Sequence, residues 1–240
     1  MGIQMKNYKS NECIVAFIDV LGSSEEMKNN PSRSLNAIHN AYDDALDMYN
    51  KLHSDEVPVP QIKIFSDNII IYSPCEPDTK SAFYSVVILC GLIQNLLLHN
   101  RLLIRGGVTK GDFFADDVMV WGNALVRAHK LESEIAIYPR VIIDPQLIYE
   151  ISFFQDNGPM KSTFGKWLDA DHDGLIYIDY LNQYLDVDNG DFVLQSFQEE
   201  NEKRTRRHNE NLKIFQKLNW HDIYLRRKLF EFEKNKENNS

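Results

Sequence analysis

The sequence has little cysteine and no long uninterrupted apolar run. Its 240 residues include three cysteines, Cys13, Cys75 and Cys90, far apart and odd in number. That argues against a disulfide framework or a Cys-rich zinc site and points to a reducing, cytoplasmic compartment. No stretch reaches the roughly 18 uninterrupted apolar residues that a membrane span needs. The run Val86–Leu98 is broken by Gln94 and Asn95. The polar segment Met1–Asn11 carries no apolar stretch with a cleavage site, so no secretory signal is expected. The seven histidines show no His-x-x-x-His spacing. Basic charge is scarce as well: 26 Lys and Arg against 35 Asp and Glu, a net charge of −9. Neither a membrane nor a nucleic-acid partner is expected of such a chain. A phosphate ligand would need a local site or a metal to overcome the overall repulsion. What is present is ordinary globular material: 43% hydrophobic and 25% charged residues, too apolar for intrinsic disorder. The length suits one large domain, or one with an appendage.

Along the chain, Cys13–Ile18 reads as a buried strand ending at Asp19. Residues Pro31–His53 carry apolar side chains at helical spacing, among them Leu35, Ile38, Tyr42 and Tyr49. Gln61–Phe65 and Asn68–Tyr72 flank Ser66-Asp67 as a β-hairpin would. Ser81–Asn100 reads as a buried helix, Leu102–Lys110 and Val118–Trp121 as strands, Gly122 to about Ile135 as a helix, and Arg140–Ile143 as a strand. The order predicts an α/β (α+β) protein with a ferredoxin-like βαββαβ core. Residues 146–192 form an irregular extension with candidate strands near Trp167 and at Leu175–Ile178. Residues 193–235 form a charged helical C-terminal extension, packed on the core or on a dimer.

Two acids stand out. Asp19 and Asp67 each follow an apolar strand-like run. A carboxylate at the end of a buried strand is costly unless compensated, and two on neighbouring strands repel unless a cation sits between them. Such hard oxygen ligands suit Mg2+ or Mn2+. The backbone of Val20, Leu21, Gly22, Ser23 and Ser24 offers N–H groups to a phosphate. The plainer reading of both acids is turn or capping residues. Gly106-Gly107 inside a strand marks close approach of another backbone or of a ligand. Arg127 and Lys130, three apart, share one side of a helix and face either an anion or solvent.

Together these segments resemble the catalytic domain of class III nucleotidyl cyclases, over residues 12–145. Phe17-Ile18-Asp19-Val20-Leu21-Gly22 matches the strand, metal-binding Asp and phosphate loop. Lys63-Ile64-Phe65-Ser66-Asp67 matches the hairpin with the second metal-binding Asp. Arg105–Gly111 and Trp121–Ser133 match the following strand and helix. The wording is closer still to the bacterial pyrimidine cyclases of the Pycsar anti-phage system, through Gly122-Asn123-Ala124-Leu125-Val126, Leu131-Glu132, Asp173-Gly174, Ile178-Asp179-Tyr180 and Lys217-Leu218-Asn219-Trp220. The resemblance implies a pyrimidine nucleotide cyclase acting on UTP or CTP, with a lean to UTP. It implies two Mn2+ or Mg2+ ions per site on Asp19, Asp67 and the Val20 backbone, and a homodimer with active sites at the interface. The product would activate a downstream cyclic-nucleotide-dependent effector.

The departures are informative. The usual transition-state Asn aligns with Val126, which makes no hydrogen bond. The usual Arg aligns with Lys130, which keeps the charge and loses the bidentate fork. Lys130 is therefore the leading charge stabiliser and Arg127 the second. Lys63 aligns with the base-reading residue, and its usual Asp partner aligns with Met119, which argues against a conventional purine pocket. The rival readings are a catalytically silent cyclase-like sensor and a purine (ATP or GTP) cyclase. Two other signals are set aside. Asp169–Gly174 looks like the start of a Ca2+ loop, but its twelfth position is Tyr180, so it reads as a turn between strands. The basic run Lys203–His208, flanked by glutamates, reads as a solvated helix face.

Overall fold

The computed structural model describes residues 9–22, 30–52, 58–153 and 165–239. Strand β1 (Asn11–Leu21) lies at its centre, with the alternate residues Ile14, Ala16, Ile18 and Val20 packed into one apolar layer and Cys13, Val15 and Phe17 into another. Period-2 alternation with both faces apolar is what a strand covered on both sides requires. Helix α1 (Pro31–Leu52), hairpin β2 (Gln61–Phe65) and β3 (Asn68–Pro74), helix α2 (Thr79–His99) and strand β4 (Leu103–Ala115) follow. β1 pairs antiparallel with both β3 and β4, and β2 pairs with β3. The order β2-β3-β1-β4 is that of a ferredoxin-like βαββαβ core. The fold is thus α+β, as the element order predicts.

The predicted boundaries move at informative places. β1 runs to Leu21, so Asp19 stands inside the strand, opposite Asn68 on β3 and Arg105 on β4. Leu21 is the last strand residue, not part of a loop; Gly22 makes the turn at φ +78°. Ser23 and Ser24 lie outside the described residues. β4 continues to Ala115 and folds back on the short β5 (Val120–Trp121). The helix expected from Gly122 to Ile135 is α3 (Asn123–Lys130) followed by a wider π-type turn, Leu131–Ile135.

The double glycine has two explanations: a Cβ on Gly106 would stand 2.6 Å from the carbonyl of Phe17 on β1, whereas Gly107 faces that helix. A Cβ on Gly107 would stand 2.4 Å from Cβ of Leu131 and 2.9 Å from the carbonyl of Ala128. The close approach is therefore α3 and its turn lying flat on β4. On the opposite face, α1 and α2 cover the sheet. α2 is long and apolar enough to cross a membrane by length and composition, although polar residues interrupt it, but most of its residues are buried inside the protein. Its packing contributes about 1.5–3 kcal/mol for each fully buried large apolar side chain. Asp78 caps it, accepting from the backbone N–H groups of Lys80 and Ser81.

Beyond β4 the sheet gains β6 (Val141–Ile143), parallel to β4, and helix α4 (Pro145–Glu150) leaves from it. β7 (Leu168–Ala170) and β8 (Ile176–Ile178) extend the same sheet past β6. The acidic segment between them is a turn closed by side-chain bonds. The fully buried Arg140 donates to Asp171 and Asp173, and Nε1 of Trp220 donates to Asp171 at 2.7 Å. Helices α5 (Gly190–Arg207) and α6 (Leu212–Asn239) pack on this end of the sheet through Leu194, Phe197, Leu218, Trp220, Tyr224 and Leu225. A buried ion pair, Lys228 to Asp179 at 2.5 Å, ties α6 to the residue after β8, and Tyr224 donates to the same carboxylate at 2.6 Å.

Candidate active site

Asp19, Phe17 and Val15 share one face of β1, the face covered by α3. The N–H of Val20 donates to the carbonyl of Asp67 at 3.1 Å, which closes the hairpin turn against β1. In an antiparallel strand the N–H and C=O of one residue point to the same side, so the Val20 carbonyl also faces the hairpin. The structure thus brings Asp19, the Val20 backbone and Asp67 together. Ser66 sits at φ +56°, the left-handed turn position that sends the chain from β2 through Asp67 into β3. Asp67 accepts from Asn68 through Oδ1 at 3.2 Å.

The surroundings of Asp19 were only partly legible in the sequence. Nε of Arg105 lies 3.4 Å from Oδ2 of Asp19 and 2.7 Å from Oε1 of Glu132. Glu132, on the π-type turn, is buried, and its Oε1 receives no hydrogen bond, because Arg105 approaches off the hydrogen-bonding direction. Lys217 enters from α6, and its field reaches Asp19, Glu132 and Arg105. Burial raises the Asp19 carboxyl above the usual carboxylate range; Arg105 opposes the rise and Asp67 adds to it. Burial likewise raises Glu132, against the pull of Arg105. Burial and Arg105 lower the Lys217 ammonium. Arg105, Glu132 and Lys217 were not singled out from sequence as site residues, although all three sit in stretches that carry the family resemblance.

Asp19 and Asp67 repel each other, and a hard cation would relieve that repulsion. Two carboxylates and a backbone carbonyl suit Mg2+ or Mn2+, which retain several waters. Among the described residues, no group of three or more His, Cys, Asp and Glu side chains forms a ready-made metal cage, so waters and substrate oxygens would complete the shell.

The remaining predicted residues divide. Lys63, on β2, points to the same face of the sheet through its pairing with Ile70. Its Nζ is 4.0 Å from Asp117, in the turn that ends at Met119. Lys63 and the Met119 turn therefore flank one edge of the site. His129 packs its ring edge-on against Phe17, centroids 5.0 Å apart. Lys130 is exposed and pairs with Glu134 at 3.8 Å. Arg127 faces elsewhere: its Nε and Nη2 donate to the buried Asp144 at 2.8 and 3.0 Å. Asn123 and Arg127 line a separate pocket with Thr109, Lys110 and Asp144.

No family model matches the sequence, and no curated protein matches it. Solved structures do. The adenylyl cyclase CyaB from P. aeruginosa is 17% identical with a TM-score of 0.45, over 60% of this chain and 82% of its own. The catalytic core of a rhodopsin-guanylyl cyclase with converted specificity, in complex with ATPalphaS, is 14% identical with a TM-score of 0.49, over 71% and 97%. An adenylate/guanylate cyclase/hydrolase from Silicibacter pomeroyi is 16% identical with a TM-score of 0.44, over 71% and 96%.

Proposed function

We propose that this chain is a metal-dependent nucleotidyl cyclase of the class III type, converting a nucleoside triphosphate to its 3',5'-cyclic monophosphate and pyrophosphate. The observation that carries this is the meeting of Asp19 and Asp67 across the β1–hairpin contact, in a βαββαβ core whose motifs run in the class III order. Asp19, Asp67 and the Val20 carbonyl would hold Mn2+ or Mg2+. When bound, the metal ions would supply acidification of the ribose 3'-hydroxyl and neutralisation of phosphate charge. The chain's own residues do the rest. Arg105 lies between Asp19 and Glu132 and offsets their mutual repulsion, so the two acids can stand side by side. Lys217 adds positive field at the end of β1. Lys63 and the Met119 turn border the position for the base. Lys130 remains the leading cation for the charge that develops on the phosphate oxygens; Arg127, held by Asp144, would first have to be released.

The finer reading is the base. A pyrimidine, UTP or CTP, is favoured by Met119, which stands where the usual purine pocket has the Asp partner of Lys63, so that polar pair is lost. Signalling in anti-phage defence rests on the motif resemblance alone. The matched structures are named for purine nucleotides, so ATP and GTP enter the assay on equal terms. The catalytically silent reading draws on Val126 and on the engagement of Arg127 by Asp144. Assembly as a homodimer with sites at the interface would cover Phe65, Met119, Trp121 and Val126, all exposed here. The test is cyclisation by Asp19→Ala and Asp67→Ala proteins: both should lose product while retaining a cooperative thermal transition. Full activity in either would refute the metal assignment.

A further inference from the structure

Among the described residues of this acidic chain, a basic concavity opens beside the proposed phosphate turn. A pocket of about 380 Å³ is lined by Leu21 and Gly22 at the end of β1, by Arg33 from α1, by Arg101 after α2, and by Arg204, Arg207 and Lys217 from the C-terminal helices. Among the described residues, Arg33, Arg101, Arg204, Arg207 and Lys217 line it together with one acid, Glu200, in a protein whose net charge is −9. Glu200 is 3.7 Å from Arg101, and Arg204 donates to the Arg101 carbonyl at 3.1 Å, so α5 is fastened to the loop after α2. Among the described residues no carboxylate lies within ion-pairing distance of Lys217, although it is half-buried. The basic run read from sequence as a solvated helix face is therefore split. Arg206 pairs with Glu202 at 3.7 Å on one side, while Arg204 and Arg207 line the pocket on the other.

Like charges brought together repel unless an anion joins them, and here Arg207 of α5 and Lys217 of α6 line one pocket. Guanidinium groups suit phosphate oxygens, which they bind in a fork. We propose that the pocket between the C-terminal helices and the β1 turn binds a polyphosphate group, with Arg207 and Lys217 as its principal contacts. Only the identity of the ligand rests on the cyclase reading. The group is either the β,γ-phosphates of the nucleotide and the pyrophosphate they become, or the phosphates of a separate effector. Lys217 connects the two regions, since it lines this pocket and its field reaches Asp19. The C-terminal extension then has a role in ligand binding besides packing.

The experiment is calorimetric titration of the full chain with inorganic pyrophosphate, without divalent cations. Saturable one-to-one binding is expected, weakened about tenfold or more by Arg207→Gln and by Lys217→Gln. Arg206→Gln removes the same charge from the same helix outside the pocket and should change the affinity less than twofold. Circular dichroism of the three variants checks that each is folded. Displacement of pyrophosphate by nucleoside triphosphate assigns the site to the substrate; simultaneous binding of both assigns it to an effector. Absence of saturable binding, or equal affinity in all three variants, overturns the proposal. The Asp67→Ala protein separates this from the cyclase reading, because it should lose cyclisation and keep pyrophosphate affinity.

Discussion

Replacing Asp144 by Asn should destabilise the protein and free Arg127. Asp144 is 4% exposed and accepts from Nε and Nη2 of Arg127, from Oγ1 of Thr109 at 2.8 Å and from the backbone N–H of Gln146 at 3.2 Å, where it caps α4. Removing one partner of a buried pair costs about 3–5 kcal/mol. Two features reduce that figure. Arg127 is 44% exposed and can return its guanidinium to water, and the new amide keeps one oxygen acceptor. A loss of about 2–3 kcal/mol follows. Urea unfolding at pH 7 should show the midpoint lowered by about 1 M with an unchanged slope. Arg127→Ala should cost less, and the double variant should fall short of additivity by more than about 0.5 kcal/mol, as for groups in direct contact. A change below about 0.5 kcal/mol in Asp144→Asn, or full additivity, would refute the structural pairing. Arg127 would then be available for chemistry in the resting protein.

The pH dependence follows from the same carboxylate. Burial alone would raise Asp144, but the bonds from Arg127 and Thr109 outweigh it and hold the carboxyl below its ordinary value. Its contribution to stability is therefore complete above the unfolded value of about 3.9 and is lost as pH falls through the lower folded value. Acid titration of the thermal midpoint should show a shallower acid-side fall in Asp144→Asn than in wild type. Glu132 has the opposite sign: burial raises it, so its ionised form opposes folding. Glu132→Gln should raise the midpoint at pH 7, and the gain should vanish below about pH 4, where the unfolded carboxyl is already protonated. Gly107→Ala would force a methyl group to 2.4 Å from Leu131 and should cost about 1–3 kcal/mol by thermal unfolding.

Much of the core was legible because its signals are local. Apolar runs and the Ser66-Asp67 turn placed β1, the hairpin and α2 within a few residues. The two acids stood out because charges at strand ends are conspicuous. What could not be read came from contacts distant in sequence. Asp19 and Arg105 are 86 positions apart and meet through strand register. Glu132 is turned inward because α3 widens into a π-type turn over Gly107, a step that periodicity does not signal. Lys217 reaches the site because α6 folds back along the sheet, which neither its charge nor its helical spacing reveals. Arg127 and Lys130 share a helix side, as their spacing implies, yet Arg127 is claimed by Asp144 at the end of β6 and Lys130 by its own i+4 neighbour Glu134. The Asp169–Gly174 turn was separable from a Ca2+ loop by the residue at one position, and Arg140, Arg227 and Trp220 supply the partners for its carboxylates.

The most direct test of the central claim is mass spectrometry of products after incubation of the purified chain with ATP, GTP, CTP and UTP separately, in Mn2+ and in Mg2+. A 3',5'-cyclic monophosphate from at least one nucleotide, lost in Asp67→Ala, is the predicted result, and the nucleotide that reacts names the base. No cyclic product from any of the four in the folded wild-type protein, or product undiminished in Asp67→Ala, would contradict it.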